Sequence, residues 1–207
     1  QTPFWYRLRV ARSSFDHYEV KTNILDHAIE INGLVGPGLA RKVSALLDTN
    51  FGIKKIVIDS NGGLVDEAIS VANVIEAHGN LMTVARHACN SACIIIFMAG
   101  DRRSAPFDLQ FGFHAQSPIT LIKGAYNLEA LQQQSADSNR YLRDRGVPQM
   151  YLEKAAAVGP DKLFPVTAVQ LAAIGVVSEL TDGGAPITID DGKWLVIAKV
   201  LNSSVAT

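Results

Sequence analysis

From Asn23 onward, short apolar runs alternate with stretches in which apolar residues recur every three or four positions. Runs of that kind predict strands and helices in turn. Residues 28–31 and 53–58 read as strands; the second (IKKIVI) is β-branched and suits a buried parallel sheet. Residues 81–85 and 109–113 read as two more strands. Between them, apolar spacing predicts helices over 39–47, 64–78 and 92–98. Asp66 and Glu67 fall in the first turn of the second of these, where the helix dipole favours anions. Strand and helix in alternation are the mark of right-handed crossovers and an α/β fold with a parallel sheet.

Beyond residue 125 the pattern changes. A long polar helix is expected over 126–145, with Leu128, Leu131 and Leu142 on it, and a second over 147–158 opened by Pro148. A short helix over 167–174 has Thr167 as N-cap and Gly175 just past its end. Residues 187–200 read as a hairpin around Asp190-Asp191-Gly192. Residues 1–22 read as an extension or edge strand.

Composition narrows the function classes. The chain has 207 residues, 48% hydrophobic and 19% charged, with a formal net charge of −1. It can bury a sizeable core. It lacks the basic stripe that a nucleic-acid partner calls for. No apolar run is long enough to span a bilayer. The two cysteines, Cys89 and Cys93, have neither redox nor zinc spacing. Two readings stand: a pair of buried thiols, or a short disulfide bracketing Ser91. The disulfide reading and the Gln at position 1, in place of Met, set the expectation of a periplasmic or other extracytoplasmic location; the alternative is cytoplasmic.

Three stretches carry candidate chemistry. Ser60-Asn61-Gly62-Gly63 is a strand-to-helix turn whose glycines let backbone N–H groups approach a ligand. Alone it is an ordinary turn. Asn90-Ser91-Ala92 puts a serine at the start of an apolar helix, either as an N-cap or as a nucleophile, with the Ala92 N–H as a second oxyanion donor. Phe111-Gly112-Phe113-His114 ends a strand in histidine, either as a polar strand end or as a base. A serine needs a neighbouring base to react, so the pair means more than either residue. His87 is a weaker candidate base. Asp101-Arg102-Arg103 reads as a solvated turn or an interface pair.

In their order, residues 56–63, Ser91-Ala92, Ala99-Gly100-Asp101-Arg102-Arg103 and Phe113-His114 resemble the ClpP/crotonase superfamily, and within it the proteolytic subunit of Clp proteases. The resemblance runs from about Ile29 to Leu180; signal peptide peptidase A is more loosely similar. It implies repeated β-β-α units forming a mainly parallel sheet flanked by helices, over residues 23–182, with 183–207 as a tail. It also implies a serine peptidase using an acyl-enzyme and no cofactor, with Ser91 as nucleophile, His114 as base, and Gly63 and Ala92 N–H groups as the oxyanion hole. Peptides or unfolded proteins are the implied substrates. Helices at 126–158 fall where Clp subunits have a ring-packing handle, so a homo-oligomer is implied. Asn61 stands where the family has Pro. The N-terminal extension stands in place of the loops that dock the Clp ATPase, which counts against that partner. The cysteines resemble a secreted or periplasmic branch. Asp161 is the implied third catalytic residue, two positions from the family's spacing, with a Ser–His dyad or Asp137 as alternatives. A crotonase-like acyl-CoA enzyme and a non-catalytic scaffold on the same fold are the competing functions.

Overall fold

The computed structural model describes residues 17–116 and 128–187. Its strands form one sheet. The edge strand β1 (Tyr18–Asn23) runs antiparallel to β2 (Ala28–Gly33). From β2 the sheet continues in parallel through β3 (Lys55–Ser60), β4 (Met82–Asn90), β5 (Arg102–Pro106) and β8 (Glu179–Asp182). A Gly183-Gly184 turn returns the chain as β9 (Ala185–Pro186), antiparallel to β8.

The crossover helices are α1 (Leu39–Thr49), α2 (Val65–His78) and α3 (Ala92–Met98). Leu39, Val43 and Leu47 of α1 join Ala68, Val71, Ala72 and Ile75 of α2 in one apolar cluster with Ile29, Ile31, Ile56 and Ile58 of the sheet. Every residue of α3 is buried. That is why this helix is apolar all round: it has no face in water.

The second half of β4 forks from the main sheet. Met82–Val84 pair with β5, whereas Cys89 and Asn90 pair in parallel with β6 (Gln110–Phe113). β6 in turn pairs antiparallel with β7 (Phe164–Thr167). The Phe97 and Phe111 rings, 4.9 Å apart between centroids, anchor β6 on α3. The longer helices α4 (Leu128–Asp144) and α5 (Gln149–Val158) precede β7, and the short α6 (Ala168–Ala173) follows it. Thr167 caps α6 in a reciprocal box with Gln170. Tyr141 of α4 donates to Glu76 of α2 at 2.6 Å, with Arg145 stacked 4.2 Å above its ring. Burial first, then that hydrogen bond, pushes the Tyr141 hydroxyl pKa well above its ordinary value.

Some expectations need correction or placing, and one strand, β7, was not expected. β4 extends to Asn90 rather than ending at 85, because Arg86, His87 and Asn90 find polar partners that a hydrophobicity pattern does not register. Arg102 and Arg103 open β5 instead of lying in a solvated turn: the Arg103 guanidinium donates to Val176 O at 2.5 Å and Gly100 O at 2.9 Å. β7 has no alternating apolar signal and forms by pairing with β6. The tail hairpin lies outside the described residues except for Ile187, and so do the first 16 residues.

Candidate functional site

Ser91 is the single residue between β4 and α3, and its backbone sits at φ +55°, ψ −126°. A side chain there is strained by about 1–3 kcal/mol and persists only when its surroundings over-determine it. They do so here. Ser91 N donates to Gly112 O at 2.8 Å. A Cys89–Cys93 disulfide spans the turn, with Cα atoms 5.2 Å apart. Ser91 occupies the N-cap position of α3, yet its side chain makes no capping hydrogen bond. The hydroxyl is therefore not spent on the helix end.

The Gly-Gly turn lies directly against this junction. Gly62 N donates to Ser60 Oγ at 3.1 Å, Val35 N donates to Gly62 O at 2.8 Å, and Leu64 N donates to Val35 O at 2.9 Å. In the parallel bridge between Val35 and Gly63 these bonds run through Gly62 O and Leu64 N, so the Gly63 N–H itself takes no part in it. A Cβ on Gly62 would lie 2.7 Å from Ser91 Cβ and 3.0 Å from Ala92 N, and one on Gly63 would collide with the Val35 carbonyl. Only glycines permit this approach, and both have positive φ, +96° and +147°. The Ala92 N–H belongs to the first turn of α3, whose amides have no partner within the helix.

Asn90 joins these parts. Its Nδ2 donates to Asn61 Oδ1 at 2.8 Å, and its Oδ1 accepts from Gly112 N at 2.8 Å.

His114 follows the last residue of β6. It lines a cavity of about 100 Å³ together with Ser91 and Ala92. Val65, Ile94, Ile95, Leu142 and Leu152 form apolar walls; Gln116, Ser138 and Asn139 form a polar side. Gln116 Nε2 donates to the buried Ser138 Oγ at 2.5 Å. The His114 Nδ1 atom is buried and has no hydrogen-bond partner among the described residues.

The other candidates lie elsewhere. Asp161 is exposed in the connection between α5 and β7 and makes no hydrogen bond or ion pair among the described residues. The chain does pass near the histidine, since Ala115 N donates to Gly159 O at 3.3 Å. Asp137 pairs with Arg140 and Gln133 on its own helix. His87 is exposed, with Nδ1 2.8 Å from Asp59 Oδ2. No cluster of metal-ligating residues occurs among the described residues, and no described helix is long and apolar enough to cross a membrane. Asn90, Gln116 and Ser138 carry no spacing or motif in the sequence that assigns them a role. Only the adjacency of Asn90 to Ser91 hinted at a role.

No protein-family model matches the sequence, and no curated protein matches it. Among solved structures, the chain is similar to a mutant of ClpP1 from Listeria monocytogenes. The TM-score is 0.63 at 19% sequence identity, over 78% of this chain and 94% of that one. The protein thus has a ClpP-like fold, a mixed α/β architecture whose mostly parallel sheet is flanked by helices.

Proposed function

We propose that the protein is a serine peptidase working through an acyl-enzyme, with Ser91 as nucleophile and His114 as general base. The observation that carries this reading is a strained serine at a strand–helix junction, uncommitted to capping, in one cavity with a histidine. His114 takes the Ser91 hydroxyl proton as Oγ attacks the peptide carbonyl. The Gly63 and Ala92 N–H groups hold the resulting oxyanion. His114 then passes the proton to the leaving amine, and the C–N bond breaks. Water, deprotonated by His114, attacks the acyl-enzyme; the acid product leaves and Ser91 Oγ regains a proton. The scheme needs no cofactor.

Substrates on this reading are short or unfolded peptides bound as an added strand. A homo-oligomer packing through α4 and α5 would resemble the Clp arrangement. We assign the site as a Ser–His pair in the present conformation, with Asp161 as the candidate third group should its connection close on His114. The Cys89–Cys93 disulfide favours an oxidising compartment such as the periplasm.

Fluorophosphonate labelling followed by intact mass tests the reading. Stoichiometric modification is expected, lost in Ser91→Ala and His114→Ala. A folded wild-type protein that never labels would instead support a non-catalytic scaffold, a reading favoured by the lack of a His114 Nδ1 partner among the described residues. No carboxylate lines the described cavity, which weighs against crotonase-type acyl-CoA chemistry.

A further inference from the structure

Resting on the peptidase reading, we propose that Asn90 is a positioning residue whose carboxamide locks the Gly-Gly turn and the histidine strand onto the nucleophile junction. Three segments must meet for the site to work: the exit of β3, the exit of β4, and β6. Backbone pairing holds two of them together. Asn90 pairs with Gly112, and Ser91 N donates to Gly112 O. Pairing of β3 with β4, however, ends where Ser60, the first residue of the turn, meets Cys89, and leaves Asn61, Gly62 and Gly63 beyond it. Beyond that point the turn is bound through its backbone to Val35, on the side away from the nucleophile. Among the described residues, the Asn61–Asn90 bond is the side-chain hydrogen bond that ties it to the nucleophile side.

The side chain at 90 must therefore donate in one direction and accept in the other. A carboxamide does both at once from two separate atoms; an aliphatic side chain does neither, and a Ser or Thr hydroxyl donates and accepts only through one atom on a shorter stem. Gly112 makes room for it. A Cβ at that position would fall 2.5 Å from Asn90 Oδ1 and 3.0 Å from its Cγ. The same residue thus sets two separations that the chemistry depends on. Through Asn61 it sets the distance between the Gly63 and Ala92 amides, and through Gly112 it sets the distance of His114 from Ser91. An oxyanion forms only as the reaction proceeds, so a loosened turn lowers kcat while leaving substrate affinity nearly unchanged.

The test is steady-state hydrolysis of an unstructured fluorogenic peptide, with fluorophosphonate labelling alongside, on the full chain. Asn90→Ala is expected to lower kcat about 100-fold and Asn61→Ala about tenfold, with KM within about threefold of wild type in both. The double variant should be no slower than Asn90→Ala alone, because the Asn61 arm acts only through Asn90. Asn61→Asp keeps an acceptor for Asn90 Nδ2 and should recover most of the activity that Asn61→Ala loses. The Asn61 side chain is exposed. Should Asn90→Ala fail to fold, the Asn61 pair still decides the matter. Unchanged kcat in Asn61→Ala, or strictly multiplicative losses in the double variant, would overturn the assignment while a labelled wild type leaves the peptidase reading standing. A wild type that neither labels nor hydrolyses overturns both.

Discussion

The two halves of the site are built to different standards. On the serine side, Ser91 is held by a backbone hydrogen bond, a disulfide across its turn, the glycine Gly62 packed against it and a neighbour, Asn90, bonded at both ends of its carboxamide. On the base side, His114 stands one residue past its strand, its Nδ1 has no described partner, and Asp161 is exposed. Strain at a nucleophile is useful only if the fold prevents relaxation, so constraints crowd there. A histidine base needs less scaffolding to exist, but it needs a partner at Nδ1 to fix its tautomer and orientation. The difference teaches that, on the peptidase reading proposed above, the fold itself sets the serine, whereas no group among the described residues orients the histidine.

The most severe break of this comparison is removal of the base. His114→Ala should lower peptide hydrolysis by about 10²–10⁴-fold while the thermal midpoint stays near wild type, since His114 makes no described side-chain hydrogen bond to lose. A matching collapse of stability would mean that the histidine is structural.

The brace on the other half can be cut separately. Replacing both Cys89 and Cys93 by Ala should cost about 2 kcal/mol of stability, the chain-entropy value for so short a loop. Denaturant titration of oxidised wild type against the variant measures it. The fluorophosphonate reaction should slow in the same variant, because the Ser91 turn loses one of its constraints. A variant as reactive as wild type would show that the remaining hydrogen bonds suffice.

Asp161→Asn sharpens the contrast from the base side. As an exposed carboxylate without described bonds, it should contribute less than about tenfold to kcat, far below the loss expected for an engaged triad aspartate. A loss near 10⁴-fold would mean that the connection between α5 and β7 closes onto His114 during turnover.

The smallest effect lies far from both halves. Hydrogen bonds from Asn23 and then Arg86 hold the Glu30 pKa below its ordinary value, against the opposing effect of burial. A lowered folded-state pKa gives stability that is present above the unfolded glutamate value and lost as pH falls through the folded one. Unfolding of Glu30→Gln compared with wild type should show a deficit at neutral pH that disappears in acid. Site reactivity per folded molecule should not follow it. A deficit that persists below the Glu30 pKa would locate the effect in packing.

Much of this arrangement was readable in advance, and for definite reasons. The IKKIVI run places β3, shifted two residues on to Lys55–Ser60, because the β-branched Ile56, Val57 and Ile58 are buried and leave little alternative. Residues 92–98 form α3 at the predicted bounds because a helix buried all round has no polar face to blur its ends. Thr167 and Gln170 mark the start of α6 through purely local bonding. β5 and β7 were not readable. Arg103 enters the sheet because distant carbonyls receive its guanidinium, and β7 exists because β6 presents an edge.

The same division holds at the site. By itself, the sequence determined the α/β architecture, the serine at a helix start, the glycine turn and the histidine at a strand end, since each depends on residues within a few positions of one another. Only the tertiary structure decided that Ser91 takes a strained conformation free of capping, that Asn90 bonds Asn61 and Gly112 at once, and that Asp161 is exposed without a described bond. Those facts depend on where β3, β4 and β6 end relative to one another in space, a relation set by sheet register and packing across the whole chain.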